Sequence, residues 1–291
     1  MQMMSRAPLE KESVVKKKKK RDHFVLLGIP YYLILLILII IPVLLIFYYG
    51  FTYIENGLLH ITLREFQNVL ENKIHLEVIY QSVKAAVITT IICLLIGYPT
   101  AYLITKTKPR TQGLLILAIT APMWINMLLR ILAWRQIFES NGIVAQILSI
   151  FGIDNVKILG SNFAIIFGLV YNFLPFMIIP IYTVLNKMDK RLIEASYDLG
   201  GSKFHTFRRI IFPLSLSGVM SGVIMVLLPA ATAIVVPNKL GDNKMLIGGL
   251  IEYLVKNDLI HYVSALAIVL ALIIFALLYL SKLVEKKYEE I

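Results

Sequence analysis

The stretch EASYDLGGSKFHTFRRIIFP runs from Glu194 to Pro213 and lies between two long apolar runs. It contains two short helical patterns separated by the pair Gly200 and Gly201. Because a glycine just past a helix adopts the left-handed backbone conformation without strain, this pair is expected to end the first helix. Small side chains in the stretch would let another surface approach closely, and its basic residues keep it out of a bilayer core. The stretch is therefore predicted to be a docking element.

Helix capping supports the same division. Asp189 can cap the first helix and Ser202 the second, because a side-chain oxygen at that position accepts a hydrogen bond from a backbone N–H of the first turn. The second helix is expected to run through Ile211. Pro213 is expected to close the stretch, because proline cannot donate a backbone hydrogen bond. The docking segment is therefore predicted to span residues 189–213.

Composition places the chain in a membrane. Of its 291 residues, 58% are hydrophobic and 16% are charged, and several apolar runs reach the roughly 20 residues that a helix needs to cross a bilayer. The net charge of +11 does not indicate nucleic-acid binding, because no soluble region of domain size carries it. The block KKKKKRDH, from Lys16 to His23, directly precedes the first apolar run and is typical of a topology signal.

Six apolar spans can be placed along the chain, which predicts an all-α integral membrane protein. A basic cytoplasmic tail is expected at residues 1–23, the six-helix domain at 24–284 and a second cytoplasmic tail at 285–291. One short surface helix is expected between the third and fourth spans. The spans are expected at residues 24–49, 78–104, 114–137, 163–185, 214–236 and 262–283.

The distribution of lysine and arginine predicts the orientation of the chain. With both termini in the cytoplasm, 20 of the 29 basic residues fall in cytoplasmic segments and six in outer loops. This orientation is favoured because cytoplasmic loops of membrane proteins are enriched in basic residues. The docking segment 189–213 is then expected to face the cytoplasm.

Motifs of catalytic sites are missing from the sequence. No G-x-x-x-x-G-K-[ST] occurs, and GGSK at Gly200 to Lys203 has the wrong spacing to hold a phosphate. There is no nucleophile elbow, and none of the five histidines has a second metal ligand four residues after it, the spacing that would suggest zinc. The single cysteine, Cys93, excludes an internal disulfide. The chain is therefore expected not to be an enzyme and to bind no metal or cofactor. Any ATP that drives its function must then be hydrolysed by another chain.

The docking segment resembles a motif of ABC-importer permeases, E-A-A-x3-G-x9-I-x-L-P, at every spacing. Ser196 replaces the second alanine and Phe212 the leucine, and both replacements are mild. The resemblance extends over most of residues 24–288, with YPTAYLI at Tyr98 and PMWINMLLRILAW at Pro122, and is closest to the first permease subunit of spermidine/putrescine importers. The matching motif positions are Glu194, Ala195, Gly200, Ile210 and Pro213.

This resemblance implies a type I ABC-importer fold in the inner or plasma membrane of a bacterium. The segment 189–213 would then hold a coupling helix between spans four and five that docks on a separate ATPase, and Glu194, Ala195, Ser196, Gly200, Ile210 and Pro213 would be coupling residues. The ATPase would use ATP and magnesium. The other implied partners are a second homologous permease that forms a heterodimer with this chain, an extracytoplasmic polyamine-binding protein, and the polyamine itself.

Helix-disrupting residues are one set of candidates for a translocation pathway. Pro229 removes a backbone donor and disfavours regular helix from Met225 to Pro229, so that Ala230, Ala231 and Thr232 could line a cavity. A proline kink packed against its neighbours explains the same sequence equally well.

Aromatic residues are the second set, because a polyamine carries ammonium groups and the spans hold no deep acidic residue. Arg130 would repel such a substrate and is expected to have a structural partner instead. Packing or a membrane-interface belt is the alternative role of each aromatic. These candidates are Trp124, Trp134, Tyr171, Phe173 and Phe176, with Glu139 as an acid at the rim.

Two other functions remain open at the level of sequence. A permease for another small solute, such as sulfate, ferric iron or phosphonate, would share the same motif. A secondary transporter or a membrane scaffold would work without an ATPase, and co-purification with a nucleotide-binding subunit would separate it from an importer.

Overall fold

The computed structural model describes residues 30–55, 58–153, 157–242 and 244–289. The predicted tail at residues 1–23 lies outside the described residues. The α-helices are α1 (Ile41–Phe51), α2 (Arg64–Glu71), α3 (Lys73–Thr105), α4 (Pro109–Thr120), α5 (Met127–Phe138), α6 (Ile143–Ile150), α7 (Asn162–Lys187), α8 (Lys190–Asp198), α9 (Lys203–Thr206), α10 (Phe212–Ala231), α11 (Val235–Leu240), α12 (Ile247–Lys256) and α13 (Ile260–Glu289).

The all-α, multi-span prediction is confirmed. Among the described residues, five helical segments are long and apolar enough to cross a membrane, and a sharply bent pair makes a sixth if it is counted as one span. The last helix, α13, continues to Glu289 and so includes most of the segment expected as a C-terminal tail. The five segments are Pro30–Phe51, Lys73–Thr105, Asn162–Lys187, Lys203–Ala231 and Ile260–Leu283.

The third span, expected over residues 114–137, is a bent pair of helical segments and not one continuous helix. The segments Pro109–Trp124 and Met127–Ile150 meet at 90°. A 3₁₀ turn at Ala121–Trp124, which contains Pro122, ends the first segment. Asn126 then starts α5, because its Oδ1 accepts a hydrogen bond from the Leu128 N–H at 2.8 Å. The surface helix expected after this span is α6.

Residues 30–45 belong to a separate compact unit, whose described part is helical and apolar. A π turn occupies Leu36–Ile40. The rings of Tyr31 and Tyr32 meet edge to face, with their centroids 5.7 Å apart.

A β-hairpin follows α1 and was missed in the sequence. Strands β1 (Thr52–Glu55) and β2 (Leu58–Ile61) are antiparallel, and Thr52 pairs with Ile61. The short helix α2 follows directly and packs on α3 and α13. The segment after the first span, which was expected to be a loop, is therefore folded.

Helices α3, α7 and α10 pack together at the centre of residues 46–289. Two glycines of α10 allow its backbone to approach α7 closely, as their spacing predicts. A Cβ at Gly222 would lie 2.6 Å from the Met177 sulfur, and one at Gly218 would lie 2.9 Å from the Pro180 carbonyl oxygen. This close contact joins the segment before the docking element to the segment after it.

The fifth span begins earlier than the sequence suggests, because the helix that starts at Lys203 continues without a break to Ala231. This helix was expected to run only through Ile211, but it continues past Ile211 and Pro213. A π turn at Phe207–Ile211 precedes α10, and the Phe212 N–H bonds to the Phe207 carbonyl. Pro213 is the second residue of α10, directly after this π turn.

The predicted disruption around Pro229 was also wrong. Pro229 lies inside α10, which remains helical through Ala231. Ala230 and Ala231 are buried in the core, with relative exposures of 0% and 1%, so they do not line an open cavity. Thr232 follows the helix and is exposed.

Candidate functional site

The segment between α7 and α10 forms a helix–turn–helix, called here the α8–α9 turn (residues 189–206). Both predicted caps are confirmed: Asp189 Oδ1 accepts from the Arg191 N–H at 2.9 Å, and Ser202 Oγ accepts from the His205 N–H at 3.2 Å. Gly200 ends the first helix at φ +78°, the left-handed conformation expected for it. The local sequence therefore specifies the shape of this turn.

A buried pair of hydroxyl groups joins the two arms of the turn. Ser196 Oγ and Thr206 Oγ1 are 2.8 Å apart, and Thr206 Oγ1 also donates to the Ser202 carbonyl at 3.1 Å. Gly201 fits against the same place, since its N–H donates to the Ser196 carbonyl at 2.8 Å. A Cβ on Gly201 would lie 2.6 Å from that oxygen. These contacts hold α8 and α9 in one arrangement.

Ser196 is therefore placed differently from the expectation that it offers a small surface for docking. Its side chain is buried within the turn, with a relative exposure of 8%, and binds Thr206. A hydroxyl has a hydrogen-bonding role here that alanine could not perform. Of the other motif residues, Glu194, Ala195 and Gly200 are exposed, whereas Ile210 and Pro213 are half-buried.

The apolar tip of the turn is formed by two residues that were not included among the predicted coupling residues. Leu199 is 89% exposed and Phe204 is 71% exposed, and they flank the glycine pair. The sequence did contain a signal for these two residues. They are large and apolar, and they lie on either side of a glycine pair within a basic segment. Exposed apolar groups on a rigid turn are suited to burial against a partner protein.

Aromatic contacts connect the turn to the central helices. The Tyr98 ring in α3 lies 5.8 Å from both Phe207 in the π turn and Phe212 at the start of α10, measured between centroids. The Tyr98 hydroxyl and Ser215 Oγ are 2.8 Å apart. Phe212 thus makes the apolar contact expected of a residue that replaces leucine. A displacement of the α8–α9 turn would reach α3 and α10 through these contacts.

The loop between α3 and α4 lies at the same end as the α8–α9 turn. A pocket of about 610 Å³ is lined by Lys106 from this loop and by Lys190 and Glu194 from α8. Gln112 fixes the loop, because its Nε2 donates to the Thr107 carbonyl at 3.0 Å and its Oε1 accepts from the Tyr182 hydroxyl at 3.1 Å. Glu194 therefore shares this pocket with two lysines.

The aromatic pathway candidates are separated into different environments. The Trp134 ring packs 4.6 Å from Phe167 and 5.4 Å from Tyr171, which joins α5 to α7. Phe173 is buried with 8% exposure and lies 6.3 Å from Phe176. Trp124 is 76% exposed at the bend of the third span.

The two arginines of α5 have structural contacts, as expected for Arg130. The Arg130 guanidinium carbon lies 5.7 Å from the centre of the Tyr171 ring. Arg135 donates to the Lys239 carbonyl at 2.8 Å and lies 3.9 Å from Glu139, the predicted rim acid. Tyr171 and Glu139 therefore already contact cations of this chain.

A family of membrane transport proteins matches almost the whole chain, including the spans and the α8–α9 turn. The family described as "Binding-protein-dependent transport system inner membrane component" matches residues 23–290. The chain belongs to this family. It is a multi-pass permease subunit of the ABC-importer class and is not itself an enzyme.

One similar protein sequence and two similar solved structures can be named. The chain is 37% identical to the spermidine/putrescine transport system permease protein PotB of Haemophilus influenzae, over 79% of this chain and 82% of the relative. A bacterial ABC transporter that imports the acidic polysaccharide alginate matches in structure, with a TM-score of 0.75 at 14% identity, over 92% of this chain and 96% of the other. The alginate transporter in complex with a pentasaccharide-bound periplasmic protein gives a TM-score of 0.61 at 16% identity, over 89% and 91% of the two chains.

Proposed function

We propose that this chain is one of two permeases in an ATP-driven polyamine importer and that the α8–α9 turn couples it to a separate ATPase. The exposed apolar tip on a hydrogen-bonded turn is the observation that carries the coupling role. The substrate is inferred from the relative named as a spermidine/putrescine permease, which shares 37% of its residues with this chain over the matched region.

The α8–α9 turn faces the cytoplasm in this proposal. The segment from Lys187 to Arg209 holds six lysines and arginines, and basic residues are enriched on the cytoplasmic side of membrane proteins. Both chain termini then lie in the cytoplasm. The outer surface is the opposite end of residues 46–289, where α2 and α12 lie.

Docking buries Leu199 and Phe204 in an apolar cleft of the ATPase, which binds ATP and magnesium while this chain binds neither. The continuous helix from Lys203 to Ala231 carries a movement of the turn toward the outer end. Because packed helices tend to switch between discrete arrangements, such a movement can open or close a pathway between two permeases. The second permease supplies the other half of that pathway.

An extracytoplasmic binding protein delivers the substrate in this proposal. Its support is the family description, which specifies binding-protein-dependent transport, and the structural neighbour whose complex includes a periplasmic protein. Substrate selection is then shared between that protein and the permeases.

Reconstitution of the four components in proteoliposomes tests the proposal. We expect ATP-dependent uptake of spermidine or putrescine that requires this chain, and ATPase activity that rises with the loaded binding protein. Sulfate, ferric iron and phosphonate serve as comparison solutes. Uptake of one of these without polyamine uptake would overturn the substrate, and uptake without the ATPase would overturn the coupling role.

A further inference from the structure

An open pocket of about 660 Å³ lies at the end of residues 46–289 opposite the α8–α9 turn. The helix α3 shows this separation. It begins at Lys73, beside the 660 Å³ pocket, and ends at Thr105, which lines the other pocket, the one that contains Glu194. A helix of 33 residues is about 50 Å long. The charged and aromatic groups lining this outer pocket are Tyr53, Arg64, Glu65, Glu71, His75 and Tyr262.

Glu65 is a buried carboxylate at this pocket. Its relative exposure is 8%, and its Oε2 accepts a hydrogen bond from the Asn68 side chain at 3.3 Å. In the part of the chain that the structure describes, no lysine or arginine nitrogen lies within 4 Å of this carboxylate. A buried carboxylate is costly unless it is paired with a cation, so the Glu65 carboxylate favours the binding of a cation in this pocket.

The aromatic residues of the pocket suit a cation as well. The Arg64 guanidinium carbon lies 4.9 Å from the centre of the Tyr53 ring, so this ring already accepts a cation on its face. The Tyr262 hydroxyl bonds to His75 Nδ1, which joins α13 to α3 across the pocket. Glu71 adds a second carboxylate that is exposed. Two carboxylates and one guanidinium therefore line this pocket.

A second cavity, of about 300 Å³, has the opposite charge. Lys84 and Lys244 line it, and Lys244 Nζ is 2.7 Å from Asn162 Oδ1. Two ammonium groups would repel an organic cation from this cavity. The contrast makes the Glu65 pocket the favourable one of the two for an amine.

We propose that the pocket at Glu65 binds a protonated alkylamine, with Glu65 as its ion-pair partner and Tyr53 and Tyr262 as its aromatic wall. The identity of the amine as a polyamine rests on the proposed function. The site is a contact for substrate at the outer surface of this permease, before the pathway between the central helices. Arg64 competes with the amine, because its guanidinium occupies the Tyr53 ring and carries the same charge.

A charge series tests this site by equilibrium binding of radiolabelled spermidine and putrescine. The sample is the complex of this chain with its partner permease and ATPase in lipid nanodiscs, without the binding protein. We expect Glu65→Gln to raise the Kd at least tenfold, because it keeps the shape and removes the charge. Arg64→Gln is expected to lower the Kd about threefold, because it removes the competing cation.

Two controls accompany the series. Glu77→Gln removes the same charge from an exposed residue of α3 outside the pocket, where Glu77 Oε1 accepts from Gln81 at 2.6 Å, and it should leave the Kd within twofold. The uncharged diol 1,4-butanediol should not displace putrescine. If Glu65→Gln does not assemble, Arg64→Gln carries the test, since Arg64 is exposed.

Equal affinities of the wild-type, Glu65→Gln and Glu77→Gln complexes would overturn the site, and so would weaker binding by Arg64→Gln. The proposed function fails in a different assay, the uptake of polyamines by the four wild-type components. Uptake with a binding affinity that does not depend on Glu65 or Arg64 refutes the site alone. If Glu65→Gln and Arg64→Gln change the Kd as expected but the wild-type components take up no polyamine, the site stands and the proposal that polyamine is the transported substrate is refuted.

Discussion

The α8–α9 turn and the far end of α10 both contain residues that disfavour helix, but the residues beside them differ in exposure. At the turn, Gly200 ends a helix and leaves Leu199 and Phe204 exposed by 89% and 71%. At the end of α10, Pro229 is followed by Ala230 and Ala231, which are buried in the core. The two residues after Pro229 are buried, whereas the two large apolar residues that flank the glycine pair are largely exposed, so we infer a docking surface at the turn.

The largest effect is expected from charge at the apolar tip. The double variant Leu199→Asp, Phe204→Asp should reduce uptake to less than 5% of wild type, because two carboxylates cannot be buried in an apolar cleft. Membrane insertion should be unchanged, since both side chains are exposed. Uptake and ATPase co-purification measure the effect, and Leu199→Met, which keeps the apolar character, is the matched control. Normal uptake by the charged variant would remove the coupling role from the tip.

The next largest effect on uptake is expected at Gly201, and a smaller one at its neighbour Gly200. Gly201→Ala should reduce uptake about tenfold, because the new Cβ would lie 2.6 Å from the Ser196 carbonyl oxygen and push α8 away from α9. Gly200→Ala should cost less, because no atom lies within 4 Å of its Cβ and only the left-handed conformation is strained, by about 1 kcal/mol. Uptake rates of the two variants at equal membrane levels make the comparison. A larger loss for Gly200→Ala would contradict the packing at Gly201.

A small effect on uptake is expected from a substitution at Pro229, near the far end of α10. Pro229→Leu should leave the KM and rate of uptake within twofold of wild type, because α10 is already helical through Ala231. The new N–H can restore a helical hydrogen bond, so thermal stability should not fall. Uptake kinetics and a thermal melt of the purified chain check both points. A fivefold change in KM would mean that Pro229 shapes the pathway after all.

The smallest effect is expected for Ser196→Ala. The variant loses the hydrogen bond to Thr206, worth about 1 kcal/mol, but Thr206 keeps its bond to the Ser202 carbonyl. Uptake should stay within twofold, with a slightly lower melting temperature. Ser196→Val, which adds volume at a buried position, should lower uptake more than alanine does. Equal uptake by both variants would show that the interior of the turn is not tightly packed.

Local signals in the sequence were enough to predict the α8–α9 turn. Asp189 and Ser202 cap helices through contacts within three residues, and Gly200 has the backbone conformation that a helix end requires. The pairing of Ser196 with Thr206 joins positions ten residues apart across the turn, and periodicity along one helix does not reveal it. The docking motif was therefore recognisable, whereas the role of its second small residue was not.

Hydropathy predicted the spans but missed their interruptions. The 90° bend near Pro122 lies inside a continuous apolar run, so average hydropathy does not detect it. Pro213 was expected to close the docking segment, but the helix continues through a π turn and past this proline to Ala231. The Glu65 pocket brings Tyr53 and residues 64–75 next to residues 254–262, a long-range contact that no local pattern predicts.

Cysteine labelling of the tip tests the central claim most directly. The only native cysteine, Cys93, is fully buried, so Leu199→Cys provides one reactive thiol at a position that is 89% exposed. A membrane-impermeant maleimide is applied to inside-out and right-side-out vesicles, with and without the ATPase. We predict labelling from the cytoplasmic side only, slowed at least tenfold by the ATPase. Labelling from the outer side, or at a rate that the ATPase does not change, would contradict the assignment of the α8–α9 turn as the coupling element.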